Sequence, residues 1–238
     1  MESQVIPMFD AVPMQVIAHM RSPFPAKFGI PRQSGLVDSL RSTIVFEPEF
    51  RNPDALRGLE GFSHLWIIWS FSKAVRADWS PTVRPPRLGG NTRMGVFATR
   101  SPFRPNPIGL SSVKIEAIEQ DPKLGPVIRV TGADLLDGTP IFDLKPYLPY
   151  TDSHPDALGG FTEGYRDYRL EVDFPQPLLE KVPLSARDAL IGVLAQDPRP
   201  SYQDDPDRVY GMAFGTVDVK FTVAEGVLTV TGVEPVGC

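Results

Sequence analysis

Pro102, Pro105 and Pro107 fall within six residues, in the stretch Thr99-Arg100-Ser101-Pro102-Phe103-Arg104-Pro105-Asn106-Pro107. Each proline fixes its own φ and restricts the residue before it, so the segment has few conformations to lose on folding and is held as a stiff loop. Arg100, Arg104 and Asn106 are therefore donors set in advance on a rigid support. A loop that only joins two strands needs none of them, whereas one that grips an anion and a polar ligand does. The same punctuation runs through the whole chain, which has 26 prolines and 20 glycines. That density favours many turns and short strands over long helices.

Apolar and β-branched runs between these breaks predict strands at 12–19, 43–47, 62–71, 94–99 (with 96–98 buried), 110–119, 126–133 and 139–145. The 62–71 run is apolar on both faces and reads as a buried central strand. Residues 73–93 form a long connection rich in proline and arginine, a length usually reserved for function. Short strands with few helical patterns predict a mainly β fold, a single-sheeted barrel closed or nearly so. The character changes after Tyr150. Residues 151–168 are polar and read as a linker. Ser185-Ala186-Arg187-Asp188 resembles a capping box with Ser185 as N-cap. It opens a helix running to about Gln196, with Ala189, Leu190, Val193 and Leu194 on one face; Asp197-Pro198 stops it. Residues 208–222 and 227–234 read as a hairpin. The expected organisation is a cofactor-binding catalytic barrel over 1–155 and a small α+β C-terminal domain over 156–238.

With 238 residues, 42% of them hydrophobic and 22% charged, the chain fits a soluble globular protein of one domain plus a smaller one. No apolar run approaches the roughly 18 residues of a membrane span, and residues 1–10 lack the pattern of a signal peptide. Cys238 is the single cysteine, which excludes an internal disulfide and suits a reducing, cytoplasmic setting. His19, His64 and His154 have no metal-ligand spacing, so no metal is expected. The net charge of −5 hides a local excess: Arg76, Arg84, Arg87, Arg93, Arg100, Arg104 and Lys114 stand against Asp78 alone. A focused basic patch, not the chain total, is the electrostatic footprint of a phosphate-backbone partner. Trp79 or Phe103 could stack on RNA loop bases. No Gly-x-Gly-x-x-Gly is present, so a Rossmann nucleotide site is not indicated.

Five further blocks accompany the proline loop: Lys27-Phe28-Gly29-Ile30-Pro31-Arg32-Gln33, Gly58 to Trp66, Pro81 to Gly90, Asp137-Gly138-Thr139-Pro140 with Lys145-Pro146-Tyr147-Leu148-Pro149, and Leu194-Ala195-Gln196-Asp197-Pro198-Arg199-Pro200 with Tyr202. Taken in order, they resemble the TrmO (TsaA-like) family of tRNA methyltransferases, densely over 12–152 and sparsely beyond. Ser201-Tyr202 stands where Ala-Tyr is expected, and Asp204, Asp205 and Asp207 make the segment after it less basic than expected for RNA contact.

The resemblance implies an S-adenosylmethionine-dependent enzyme that methylates N6 of threonylcarbamoyladenosine beside the tRNA anticodon, built on a non-Rossmann barrel and working as a homodimer. It also implies cofactor contacts at Pro31, Arg32, Gln33, His64, Leu65, Arg100, Leu110, Leu136, Asp137, Gly138 and Thr139. Of these, Arg100 can pair with a carboxylate in bidentate fashion, and the Asp137-Gly138 turn can expose backbone amides. The two-residue period of a strand puts Asp143, Lys145 and Tyr147 on one face, a carboxylate, an amine and a phenol in line as candidate catalytic groups. Arg84, Arg87, Arg93, Arg104 and Asn106 are candidates for binding the RNA. A non-catalytic RNA-binding or ligand-sensing barrel using the same pocket is the alternative.

Overall fold

The computed structural model describes residues 12–75, 78–200 and 205–237. The strands, in chain order, are β1 (Ala18–Arg21), β2 (Arg41–Phe46), β3 (His64–Ser70), β4 (Thr82–Val83), β5 (Met94–Gly95), β6 (Ile108–Asp121), β7 (Gly125–Thr131), β8 (Pro140–Pro146), β9 (Glu171–Asp173), β10 (Tyr210–Phe214), β11 (Val217–Ala224) and β12 (Val227–Pro235). The α-helices are α1 (Pro149–Asp152), α2 (Gln176–Leu179) and α3 (Arg187–Ala195). None is long and apolar enough to cross a membrane among the described residues.

Six strands form a ring in the order β1-β2-β7-β6-β3-β8, and β8 returns to β1 through Ala18↔Ile141 and His19↔Pro140. A closed ring has one face inside and one outside, so burial alternates along each strand. In β3, Leu65, Ile67 and Trp69 are buried while His64, Trp66, Ile68 and Ser70 are half-exposed. The continuous apolar run at 62–71 therefore does not mark a strand buried on both faces: its inner half fills the ring with Met20, Ile44, Val113, Ile128 and Ile141. Each fully buried side chain of this kind contributes about 1.5–3 kcal/mol.

Other sequence expectations are corrected as well. Pairing of the first strand begins at Ala18, well after Val12. Residues 96–98 form a 3₁₀ turn in which Val96 is buried and Phe97 is 73% exposed. Here the Val96 amide donates to Pro81 O, and the adjoining β4–β5 ladder is only two residues long. Ser185 does not cap: it lies inside a 3₁₀ turn, Leu184–Ala186, that begins after Pro183, and α3 starts at Arg187 with no side-chain cap. Residues 208–222 split into β10 and β11 at Gly215, whose positive φ of 58° permits a tight reversal. The 151–168 stretch contains the end of α1 and a further 3₁₀ segment, Gly160–Tyr165.

A second sheet, β10-β11-β12-β9, pairs β12 with β9 in parallel and is antiparallel elsewhere. Helix α3 lays Ala189, Leu190, Val193 and Leu194 into its core, the face that the period of the sequence predicts. Phe24, Val37 and Leu40, from the segment between β1 and β2, are buried in this same core. Phe24 meets Phe214 edge-on with ring centroids 5.5 Å apart, the Gly215 amide donates to Pro23 O at 2.7 Å, and Gly29, with φ of 92°, lies against Met212 so closely that a Cβ would fall 2.0 Å from its sulfur. The segment carrying Pro31-Arg32-Gln33 is thus held by the C-terminal sheet.

Candidate functional site

The proline loop enters β6 at Ile108, and its side chains brace one another. Arg104 donates from Nη1 to Thr99 O at 3.1 Å, the Ser101 amide donates to Thr99 Oγ1 at 3.3 Å, and the Phe103 amide donates to Ser101 Oγ at 3.2 Å. Asn106 is exposed, and its carbonyl accepts from the Ile108 amide. Arg100 leaves the loop and donates to Gln33 Oε1 at 2.5 Å. Two sequence blocks separated by 67 positions thereby form one polar cluster at the mouth of the ring.

Beneath that cluster is a carboxylate that sequence reasoning missed. Asp134 is partly buried; its Oδ1 accepts from Ser111 Oγ at 2.6 Å, and Ser111 Oγ accepts from Trp69 Nε1 at 3.0 Å. Burial raises the Asp134 carboxyl above the ordinary carboxylate range, opposed by the Ser111 hydroxyl, its own backbone amide, the Arg100 charge and the Ser34 amide. The Trp69 ring covers Gly109, where a Cβ would fall 2.2 Å from it. The available signals were Asp134 as a carboxylate inside an apolar run and Ser111 at an inward position of β6. Their pairing across 23 positions was not legible.

The Leu136-Asp137-Gly138-Thr139 turn forms beside β1, with Gly138 at φ 73°. Its amides are engaged internally: Asp137 N donates to Phe24 O, Gly138 N to Met20 O, and Thr139 N to Leu136 O. Asp137 Oδ1 accepts from the Ser22 amide and Oδ2 lies 3.6 Å from Arg21. The buried Thr139 hydroxyl donates to Leu136 O. The turn thus fixes the rim of the ring. Pro31 is buried, and the Leu65 side chain lies in the ring core, fully buried.

A second group gathers toward the other end of β3. Its antiparallel register pairs Trp66 with Lys145, Ile68 with Asp143 and Ile68 with Leu110. Lys145 Nζ lies 2.8 Å from Asp143 Oδ2, consistent with one shared outer face. The Tyr147 amide donates to His64 O, and its ring stands 5.6 Å from Trp66 and 6.2 Å from His64. His64 Nδ1 is 2.9 Å from Ser63 Oγ. Trp66 Nε1 donates to Asp152 Oδ2 at 2.9 Å, an oxygen that also accepts from the Leu148 amide; the Leu148 amide, then the indole, hold that carboxyl below its ordinary value. Within one chain, then, the residues implied for the site form two groups, and Leu110 lies on the outer face between them, 53% exposed.

The Asp197-Pro198-Arg199 motif closes α3. Asp197 adopts a positive φ of 53°, and Arg199 grips its carboxylate in bidentate fashion at 2.9 and 3.0 Å while Tyr168 Oη donates to it at 2.9 Å. Burial works to raise the Asp197 carboxyl, but the Arg199 guanidinium and the Tyr168 hydroxyl outweigh it and hold it low. Arg32 Nη2 donates to Arg199 O at 3.2 Å, so the C-terminal motif reaches the 31–33 block directly.

Of the basic segment, Arg84 is exposed and Arg93 Nη1 donates to Thr82 Oγ1. Arg76, Ser201, Tyr202, Asp204 and Cys238, and the side chain of Arg87, lie outside the described residues.

With this geometry in hand, comparisons with known proteins are specific. The family model described as "tRNA-methyltransferase O N-terminal domain" matches residues 19–153, and that of the "TrmO C-terminal domain" matches 167–236. A tRNA (adenine(37)-N6)-methyltransferase of Escherichia coli K12 is 41% identical over 227 residues, covering 92% of this chain and 96% of its own. One from Eikenella corrodens is 48% identical over 176 residues, covering 74% and 98%. A crystal structure of TrmO from Pseudomonas aeruginosa superposes with a TM-score of 0.74 at 33% identity, covering 94% of this chain and 99% of that one. Matches to both family models, over most of the described chain, make this protein a member of the tRNA-methyltransferase O family.

Proposed function

We propose that this chain transfers a methyl group from S-adenosylmethionine to N6 of adenine 37 in tRNA, and that its acceptor is the threonylcarbamoylated base. The activity its relatives are named for supports the reaction. The observation that carries the site is Arg100, held by Gln33 above the partly buried Asp134. This donor set fits a zwitterionic amino acid end and a ribose diol: Arg100 meets a carboxylate, and Gln33 and Asp134 offer acceptors. When bound, the cofactor supplies a sulfonium-activated methyl group. The protein aligns the acceptor nitrogen with it, which is where much of the rate of an in-line displacement originates. With the cofactor bound, the nitrogen–carbon bond would form as the carbon–sulfur bond broke, and the N6 proton would pass to a base or water. Tyr147, Lys145 and Asp143 are the groups we place near that proton.

The chain works as a homodimer in this reading. Ile108 and Leu110 are exposed apolar residues on the outer face of β6, opposite Ser70 and Ile68 of β3. An isologous contact across this face, with the two β3 strands antiparallel, sets the Tyr147 end of one protomer near the Arg100 end of its partner. That unites the two groups a single chain keeps apart. The ring is a single-sheeted barrel serving the cofactor, over 1–155; 156–238 is a small α+β domain that steadies the 22–40 segment. The reaction takes place in the cytoplasm.

The test is methyl incorporation from labelled S-adenosylmethionine into two tRNA pools, with and without threonylcarbamoyladenosine, using Arg100→Ala as control. Incorporation confined to the modified pool and lost in the variant is expected. Equal incorporation into both pools refutes the acceptor; none into either, with cofactor still bound, favours a ligand-sensing role.

A further inference from the structure

A cavity of about 210 Å³ opens between the connection after β3 and the proline loop, lined by Asp78, Trp79, Pro102, Phe103, Arg104 and Pro105. It is smaller than the roughly 300–1,000 Å³ that buries a drug-sized ligand, so it suits one planar ring system. Its chemistry is unusual for a surface pocket. Trp79 is 53% exposed and touches Phe97, itself 73% exposed, with ring centroids 6.3 Å apart at 32°. Adjacent exposed rings form a contiguous apolar patch, the kind of surface that marks an interaction site. The Arg104 guanidinium is fixed at the cavity by its bond to Thr99 O, and the prolines lock the wall that carries Phe103. Arg84 and Arg93, on the β4–β5 segment, are exposed cations in the same stretch of chain.

We infer that this cavity is a nucleobase-stacking subsite, which receives one unpaired base of the RNA substrate between Trp79 and Phe103 while Arg104 faces its phosphate. Single-stranded nucleic acid is bound by this combination of aromatic platforms and fixed cations. Asp78 supplies an acceptor for a base amino group. The subsite rests on the proposed tRNA substrate, but it is separate from the Arg100–Gln33–Asp134 cluster and takes no part in methyl transfer.

The test uses the full-length protein and an unmodified anticodon stem-loop RNA, read by tryptophan emission and by binding titration, so that neither readout depends on catalysis. The expected result is quenching on saturation that disappears in Trp79→Phe. It comes with weaker RNA binding by about 5- to 150-fold in Phe103→Ala, the range for losing one base–aromatic stack. Phe103→Leu, which keeps the apolar fill, weakens binding comparably with an unchanged Tm, and all three variants bind S-adenosylmethionine as the parent does. Replacing loop bases one at a time with abasic positions identifies the stacked one. Quenching by a fully paired RNA equal to that by the stem-loop overturns the subsite, as does parental affinity in Phe103→Leu. Quenching without methyl transfer to any tRNA keeps the subsite and refutes the proposed reaction.

Discussion

Gly109→Ala probes the packing beneath the Arg100 cluster. Gly109 lies in β6 with a backbone conformation open to other residues, so on general grounds the substitution stabilises by about 0.4–1 kcal/mol through the unfolded chain. The structure reverses that sign. An added Cβ would lie 2.2, 2.4 and 2.6 Å from three atoms of the Trp69 indole, against the roughly 3.5–4.0 Å of a favourable carbon contact. Trp69 is 7% exposed, stands 4.2 Å ring to ring from Phe71, and donates to Ser111, so it cannot retreat without breaking a contact. Overpacking costs about 1–3 kcal/mol and loss of the indole hydrogen bond about 0.5–1.5 kcal/mol, together about 2–4 kcal/mol. At this chain length that corresponds to a Tm lower by roughly 4–16 °C, measured by calorimetry with urea unfolding in parallel. A double-mutant cycle with Trp69→Leu assigns the cause: the Gly109→Ala penalty should fall below about 1 kcal/mol once the indole is gone. An unchanged Tm, or the same penalty in both backgrounds, refutes the reasoning.

Because burial raises the Asp134 carboxyl, its contribution to stability is fully present below the unfolded value of about 3.9 and is lost as pH rises through the raised folded value. Parental stability should therefore decline relative to Asp134→Asn as pH rises above about 4, the unfolded carboxyl's value, followed by urea unfolding; a difference that grows in the parent's favour contradicts this. A chain ending at residue 155 leaves Phe24, Val37 and Leu40 without the core that covers them, so it should bind a hydrophobic dye and aggregate; a soluble, cooperatively unfolding fragment would disprove the shared core. Gly192→Ala brings a Cβ to 2.7 Å from Val37 Cγ1 and should cost about 1–3 kcal/mol, with much of it recovered by Val37→Ala, as read from unfolding midpoints.

The sequence by itself determined the features that depend on near neighbours. The buried face of α3, at Ala189, Leu190, Val193 and Leu194, follows from helical period, and the common face of Asp143 and Lys145 follows from strand period. The prolines between 102 and 107 specify a stiff loop, and the ordered motif blocks specify the family. Only the tertiary structure decided where separated pieces meet. Phe24, Val37 and Leu40 lie in an aperiodic segment, and nothing local sends them to the C-terminal core. Asp134 finds Ser111, and Arg100 finds Gln33, only after β1 and β8 close the ring. The Asp137 and Gly138 amides look free in the sequence but are taken by carbonyls of Phe24 and Met20, which the ring brings beside them. Local pattern fixes which face of an element is apolar, whereas its partner is chosen by burial and hydrogen-bond satisfaction across the whole fold.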